Sequence, residues 1–189
     1  MRSIVVSLLV CISLNPANAQ DWVSKQLPKE GTLPSTDLVE TIKRHIEQSL
    51  NSPSPNLTFQ DIYSGKRDSL TSLRGKVVMV NVWNIHCGPC IAEFPTLQKV
   101  QSKLGKRGFV LLAISPDDTA NQRYFFANKK LNLGGITAMK GFWDDSYPFP
   151  FTWFITPAAY IVDRKGVLRE YWEGTKSYEE LSSTIAKYL

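Results

Sequence analysis

The apolar positions of this chain fall into two unbroken runs, with alternating and helically spaced stretches around them. Val77-Val78-Met79-Val80-Asn81-Val82-Trp83 and Phe109-Val110-Leu111-Leu112-Ala113-Ile114 each read as a strand buried on both faces. Between them, residues 91–104 carry apolar side chains at helical spacing, and strand, helix, strand predicts a parallel pair joined by a right-handed crossover. Upstream, Leu57 to Ile62 alternates, Ser64-Gly65-Lys66 turns the chain back, and residues 70–75 lead into the central strand, so a hairpin precedes the core. Downstream, Asp117 or Asp118 caps a helix over 119–131 with Tyr124, Phe125 and Ala127 as its buried residues. Residues 136–140 read as a third strand. Ala158 to Val162 and Val167 to Trp172 form a strand pair about the turn 163–166, and Ser177 caps a last helix running to Leu189. The stretch 142–154 holds too many aromatics between prolines for one regular element. Most of its rings are expected in the core, with one or two at a rim.

The N-terminal third is organised differently. Arg2, the apolar stretch Ile4 to Leu14 and Ala17-Asn18-Ala19 have the form of a secretory signal cut after Ala19. Residues 20–55 are polar and proline-punctuated around one amphipathic helix, in which Ile42, Ile46 and Leu50 recur at i, i+4 and i+8 and Thr36 or Asp37 provides a cap. Its stripe is expected to pack on the main domain or on a partner. The resulting division is a signal over 1–19, an extension over 20–55 and an α/β domain over 56–189. No other stretch is apolar for the roughly 18 residues a membrane helix needs.

Charge changes this picture little. The whole chain has 22 basic and 17 acidic residues. Removal of residues 1–19 takes away Arg2 and leaves a net charge of +4 spread along the sequence, which is no footprint for nucleic acid. Cysteine usage changes it more, because Cys11 leaves with the signal and only Cys87 and Cys90 remain.

Cys87-Gly88-Pro89-Cys90 lies where the first buried run gives way to the helix. The amides and dipole at a helix N-terminus favour a thiolate at Cys87, lowering its pKa from the free value of about 8.5. Cys87 is therefore the expected attacking sulfur, with some exposure, and Cys90 the more buried sulfur that resolves a mixed disulfide. A zinc site is disfavoured, since four ligands are usual and the processed chain adds only His45 and His86. A purely structural disulfide is disfavoured because so short a loop gains little stability from closure. No metal or organic cofactor is expected.

These residues resemble the thioredoxin superfamily, and within it the TlpA/ResA-like exported thiol-disulfide oxidoreductases. The resemblance is carried by Arg74-Gly75-Lys76-Val77-Val78, Asn81-Val82-Trp83, the CGPC motif, Glu93-Phe94-Pro95 and Leu97, and covers residues 56–189. It implies a thioredoxin fold with an N-terminal hairpin and an inserted helix–strand unit. It also implies that Thr156-Pro157 is the cis-proline segment that docks substrate, and that Glu93 exchanges protons with the dithiol. The chain departs from the family's pattern at His86, where the family usually has Trp, and at Asn81, where minimal thioredoxins have a buried aspartate. His86 either supports the Cys87 thiolate or faces solvent.

The expected activity is exchange of disulfides with exported partner proteins, in the reducing direction. Apocytochrome c is an implied substrate, and a membrane electron donor an implied recycling partner. The rivals are a disulfide donor of the same fold, a redox-inert binding module and a copper-binding protein. The oligomeric state is not legible in the sequence.

Overall fold

A computed structural model describes residues 36–129, 137–140, 151 and 155–189. Among these residues, seven strands form one mixed sheet: β1 (Thr58–Asp61), β2 (Arg67–Ser69), β3 (Val77–Val82), β4 (Phe109–Ser115), β5 (Thr137–Lys140), β6 (Ala158–Val162) and β7 (Leu168–Glu173). Their spatial order is β2-β1-β5-β4-β3-β6-β7. The central trio β5-β4-β3 is parallel, and β6 runs antiparallel to β3 with Ala158 opposite Val82. Among the described residues, four α-helices accompany the sheet: α1 (Thr36–Ser49), α2 (Gly88–Leu104), α3 (Thr119–Lys129) and α4 (Tyr178–Ala186). The β1–β2 hairpin and the α3–β5 insertion are both present, so the architecture is the thioredoxin fold expected from the resemblance.

Period-2 alternation divides β3 between two cores. Val77, Met79 and the residue after the strand, Trp83, face α2 and α4, and join Phe94, Leu97, Leu181 and Ile185. Val78, Val80 and Val82 face the other way and are covered by Ile42 and Ile46 of α1, which are 1% and 0% exposed. The amphipathic stripe of residues 36–49 therefore packs on the sheet. Asn51, at φ 63°, ends that helix in the left-handed region that asparagine tolerates. Its N–H then reaches the Leu168 carbonyl at 2.7 Å, tying the connection to β7.

Several local expectations need correcting. On α3 the buried side chains are Gln122 and Phe126, whereas Tyr124 is 72% exposed and Ala127 is exposed. The helix is rotated so that Phe126 meets Trp83 and Phe94, with centroids 5.2 and 5.6 Å apart, and Phe125 packs half-buried at the edge. Asp118, rather than Asp117, serves the start of α3, its Oδ1 accepting from the Ala120 and Asn121 amides at 2.7 and 3.0 Å. The last helix stops at Ala186, short of Leu189, after a full capping box between Ser177 and Glu180. Of the aromatic run only Phe151 is described; it is buried against Tyr160 on the α1 side. The rest of that run and residues 1–35, with the expected signal, lie outside the described residues. Among the described residues no helix is long and apolar enough to cross a membrane.

Candidate active site

Strand β3 delivers the chain to the edge of the sheet, and α2 starts there with Cys87 as its N-cap. Pro89, in the first turn, lacks only an amide hydrogen that would have no partner within the helix. The Cys90 N–H is turned toward Cys87 Sγ at 3.2 Å, and the Ile91 N–H bonds the Cys87 carbonyl at 3.1 Å. Cys87 and Cys90 are joined as a disulfide, with Cα atoms 5.3 Å apart. Cys87 is 8% exposed and Cys90 2%, so the expected order of the two sulfurs holds but Cys87 is less open than expected. In the reduced form, the Cys90 N–H and the helix N-terminus would both favour negative charge on Cys87.

Glu93 lies nearly one turn beyond Cys90 on the same buried face of α2 and is 4% exposed. Alternation turns Asn81 toward this helix, and the Asn81 Nδ2 donates to Glu93 Oε2 at 3.4 Å. Burial pushes the Glu93 carboxyl up to about 7, against the opposing pull of the Lys176 backbone N–H and the Asn81 amide. A carboxyl so tuned can hold or release a proton at neutral pH.

Three chain segments fix the loop before Cys87. The Ile85 N–H donates to Asp117 Oδ2 at 2.9 Å, and the same oxygen accepts from Ser115 Oγ at 2.7 Å, which ties the loop to the end of β4. Asn84 Oδ1 accepts from the His86 N–H at 3.0 Å, while its Nδ2 donates to Thr156 Oγ1 at 3.1 Å. The Asn84 carbonyl accepts from the Cys87 N–H at 3.1 Å. The Thr156–Pro157 peptide is cis, as expected. By the β3–β6 register, buried Pro157 falls beside Trp83, at the edge from which the dithiol loop emerges.

The structure thus brings Cys87, Cys90, Glu93, Thr156 and Pro157 to one end of the sheet and leaves the His86 side chain exposed. Asn84 and Asp117 are site residues that the sequence pattern does not single out. The doubled Asp117-Asp118 was the available signal, since one carboxylate suffices for the helix start and the other is left for a second task. In the sequence, Asn81 stands out only as a departure from the thioredoxin pattern.

Comparison with known proteins agrees with this geometry. Residues 50–171 match the model of the AhpC/TSA family. The thioredoxin-like protein YneN of Bacillus subtilis is 28% identical over 125 residues, covering 65% of this chain and 71% of that protein. The thiol-disulfide oxidoreductase ResA of Bacillus thuringiensis is 24% identical over 143 residues, covering 75% and 79%. Among solved structures, a thioredoxin-family thiol:disulfide interchange protein from Chlorobium tepidum superposes with a TM-score of 0.60 at 22% identity, covering 73% of this chain and 96% of that one. The family model spans well over half of the sequence, and its match brackets the CGPC motif, the Glu93 carboxyl and the cis-proline: the chain belongs to the AhpC/TSA family.

Proposed function

We propose that this chain is an exported reductant of disulfides in partner proteins, working through Cys87 and Cys90. Thiol-disulfide exchange on a thioredoxin fold is the broader statement, and it rests on the family, on the ResA-like relatives and on the dithiol at a helix N-terminus. In the reaction, the Cys87 thiolate attacks one sulfur of the partner's disulfide, and the first partner sulfur leaves and takes up a proton. Cys90 gives its proton to the Glu93 carboxylate and attacks Cys87 Sγ, expelling the second partner sulfur as a thiolate that takes up a proton from solvent, while Glu93 returns its proton to solvent. The partner gains two electrons and two protons, and the chain ends as the disulfide seen here. The Thr156–Pro157 segment receives the partner's backbone beside Cys87.

One observation carries the assignment of roles: the more accessible sulfur caps α2, while the buried one shares a face with the buried Glu93 carboxyl, which burial pushes up to about 7. The reducing direction is supported by Gly-Pro between the cysteines, the dipeptide of thioredoxin, whose potential is about −270 mV. Apocytochrome c is the partner we favour, since haem attachment needs its CxxCH thiols reduced. A membrane electron donor would restore the dithiol after each turnover. Equilibration of the processed chain with a glutathione series tests the direction, and a potential well below that of DsbA is expected. A value near or above about −150 mV would make the chain a disulfide donor. Insulin reduction by the thiol form tests activity itself, and a Cys90→Ser variant holds the mixed disulfide long enough to identify the partner.

A further inference from the structure

The dithiol loop follows β3 and the cis-proline segment precedes β6, its antiparallel neighbour, and beyond the end of that ladder the Asn84 side chain ties the two together. Asn84 precedes Cys87 by three residues, and Thr156 lies 72 positions further along the chain. The backbone N–H of His86 can only donate, so the atom of Asn84 facing it at 3.0 Å is the carbonyl oxygen. The amide nitrogen is thereby directed at Thr156 Oγ1, 3.1 Å away, and the hydroxyl of Thr156 acts there as acceptor. The loop is held independently of this contact, because the Ile85 N–H is bound by Asp117 and the Cys87 N–H by the Asn84 carbonyl. The Asn84–Thr156 bond is thus not needed to fold the loop. What it fixes is the position of residue 156 relative to Cys87.

We propose that Asn84 is a positioning residue for partner recognition: it ties Thr156 to the Cys87 loop, so that an extended partner segment paired with the cis-proline backbone delivers its disulfide to Cys87 Sγ. The inference rests on the proposed docking of substrate at Thr156–Pro157. Its consequence is selective. A partner that uses the docking edge depends on the tie, whereas a small disulfide that meets only the sulfur does not. Asn84 also keeps the hydrogen of the Thr156 hydroxyl available, since that oxygen is the acceptor in the bond.

The test compares two disulfides in the full processed chain: a peptide with one disulfide in an extended segment, and hydroxyethyl disulfide. For Asn84→Ala, the ratio of kcat/KM for the peptide to kcat/KM for the small disulfide is expected to fall about five-fold, the scale of one net hydrogen bond, with the change carried by KM. Thr156→Val should lower the ratio similarly, and Thr156→Ser, which keeps the hydroxyl, should hold it at the wild-type value. The double variant Asn84→Ala/Thr156→Val should lower the ratio no more than either single one, because both remove the Asn84–Thr156 bond; the His86 N–H partner that Asn84→Ala also removes lies in the dithiol loop and bears on both disulfides alike. If wild type reduces both disulfides and Asn84→Ala lowers both alike or neither, or if the two substitutions lose independently, the positioning role is overturned while the oxidoreductase reading stands. If the folded wild-type dithiol reduces neither, the oxidoreductase reading falls and the inference with it.

Discussion

Replacing Glu93 with Gln isolates the cost of the buried carboxyl. The group is 4% exposed, and its pKa is displaced from the ordinary 4.5 to about 7, mainly by burial. Between those two values the folded chain keeps a proton on Glu93 that the unfolded chain has released. Folding stability therefore falls as pH rises, because the unfolded state binds fewer protons than the folded one. The contribution is fully present below about pH 4.5 and lost as pH passes through about 7, and the displacement corresponds to about 3 kcal/mol. Gln cannot titrate, and its carbonyl can still accept from Asn81. Guanidinium unfolding of the disulfide form at pH 5 and pH 8 should thus show wild type losing about 2.5 kcal/mol more than Glu93→Gln across that interval, which holds most of the titration. Carboxyls held below their usual range, such as Asp68 beside the Ser72 hydroxyl, act at more acid pH with the opposite sign and are common to both proteins. In the thiol form, the same substitution should slow release of a bound partner by about 100-fold, the lower range of general-base catalysis. Parallel stability curves for the two proteins would refute the claim that Glu93 is buried and proton-retaining, and an unchanged release rate would remove it from the mechanism.

Two further outcomes follow from the packing around the dithiol. Thiolate absorbance of the reduced chain should give a Cys87 midpoint below about 8.5, and His86→Ala should leave it there, because the Cys90 N–H and the helix end remain; a return to the free value would assign the effect to the imidazole. Ile46→Ala, at a fully buried position on the α1 face, should cost about 2–5 kcal/mol in denaturant unfolding and leave the Cys87 midpoint unmoved, since it opens the core opposite the site.

The parts of this fold that were legible in the sequence are those whose signal is local. The β3 run, the CGPC turn into α2 and the Ile42–Ile46 stripe each announce themselves within a few residues, and each is found where its pattern puts it. Orientation was harder. Tyr124 and Phe126 lie on one short helix with little overall amphipathicity, and only the position of Trp83 across the core decides which of them is buried. The same holds for Gln122, which turns inward and donates to the Asp117 carbonyl at 2.7 Å. For Glu93, the family resemblance implies a role beside the dithiol but does not show burial. Burial comes from the packing of α2 on the sheet, where Glu93 falls on the helix's buried face and meets Asn81 of β3.

The polar ties of the site share a geometric origin. β4, β3 and β6 are neighbours in the sheet, and the parallel pair ends at the same edge where antiparallel β6 begins. That edge therefore collects Ser115 and Asp117 after β4, Asn84 and Ile85 after β3, and Thr156 before β6. Strand order alone brings together residues 32 and 72 positions apart. Each strand end has backbone groups that the sheet no longer satisfies, and here side chains from the adjacent ends satisfy several of them. The dithiol is thus mounted on a frame in which Asp117 holds the loop from one side and Thr156 is tied to it on the other. Of the two, only the Thr156 side faces the proposed docking segment, so changes there should alter partner choice, whereas changes at Asp117 should alter the dithiol loop for every substrate alike.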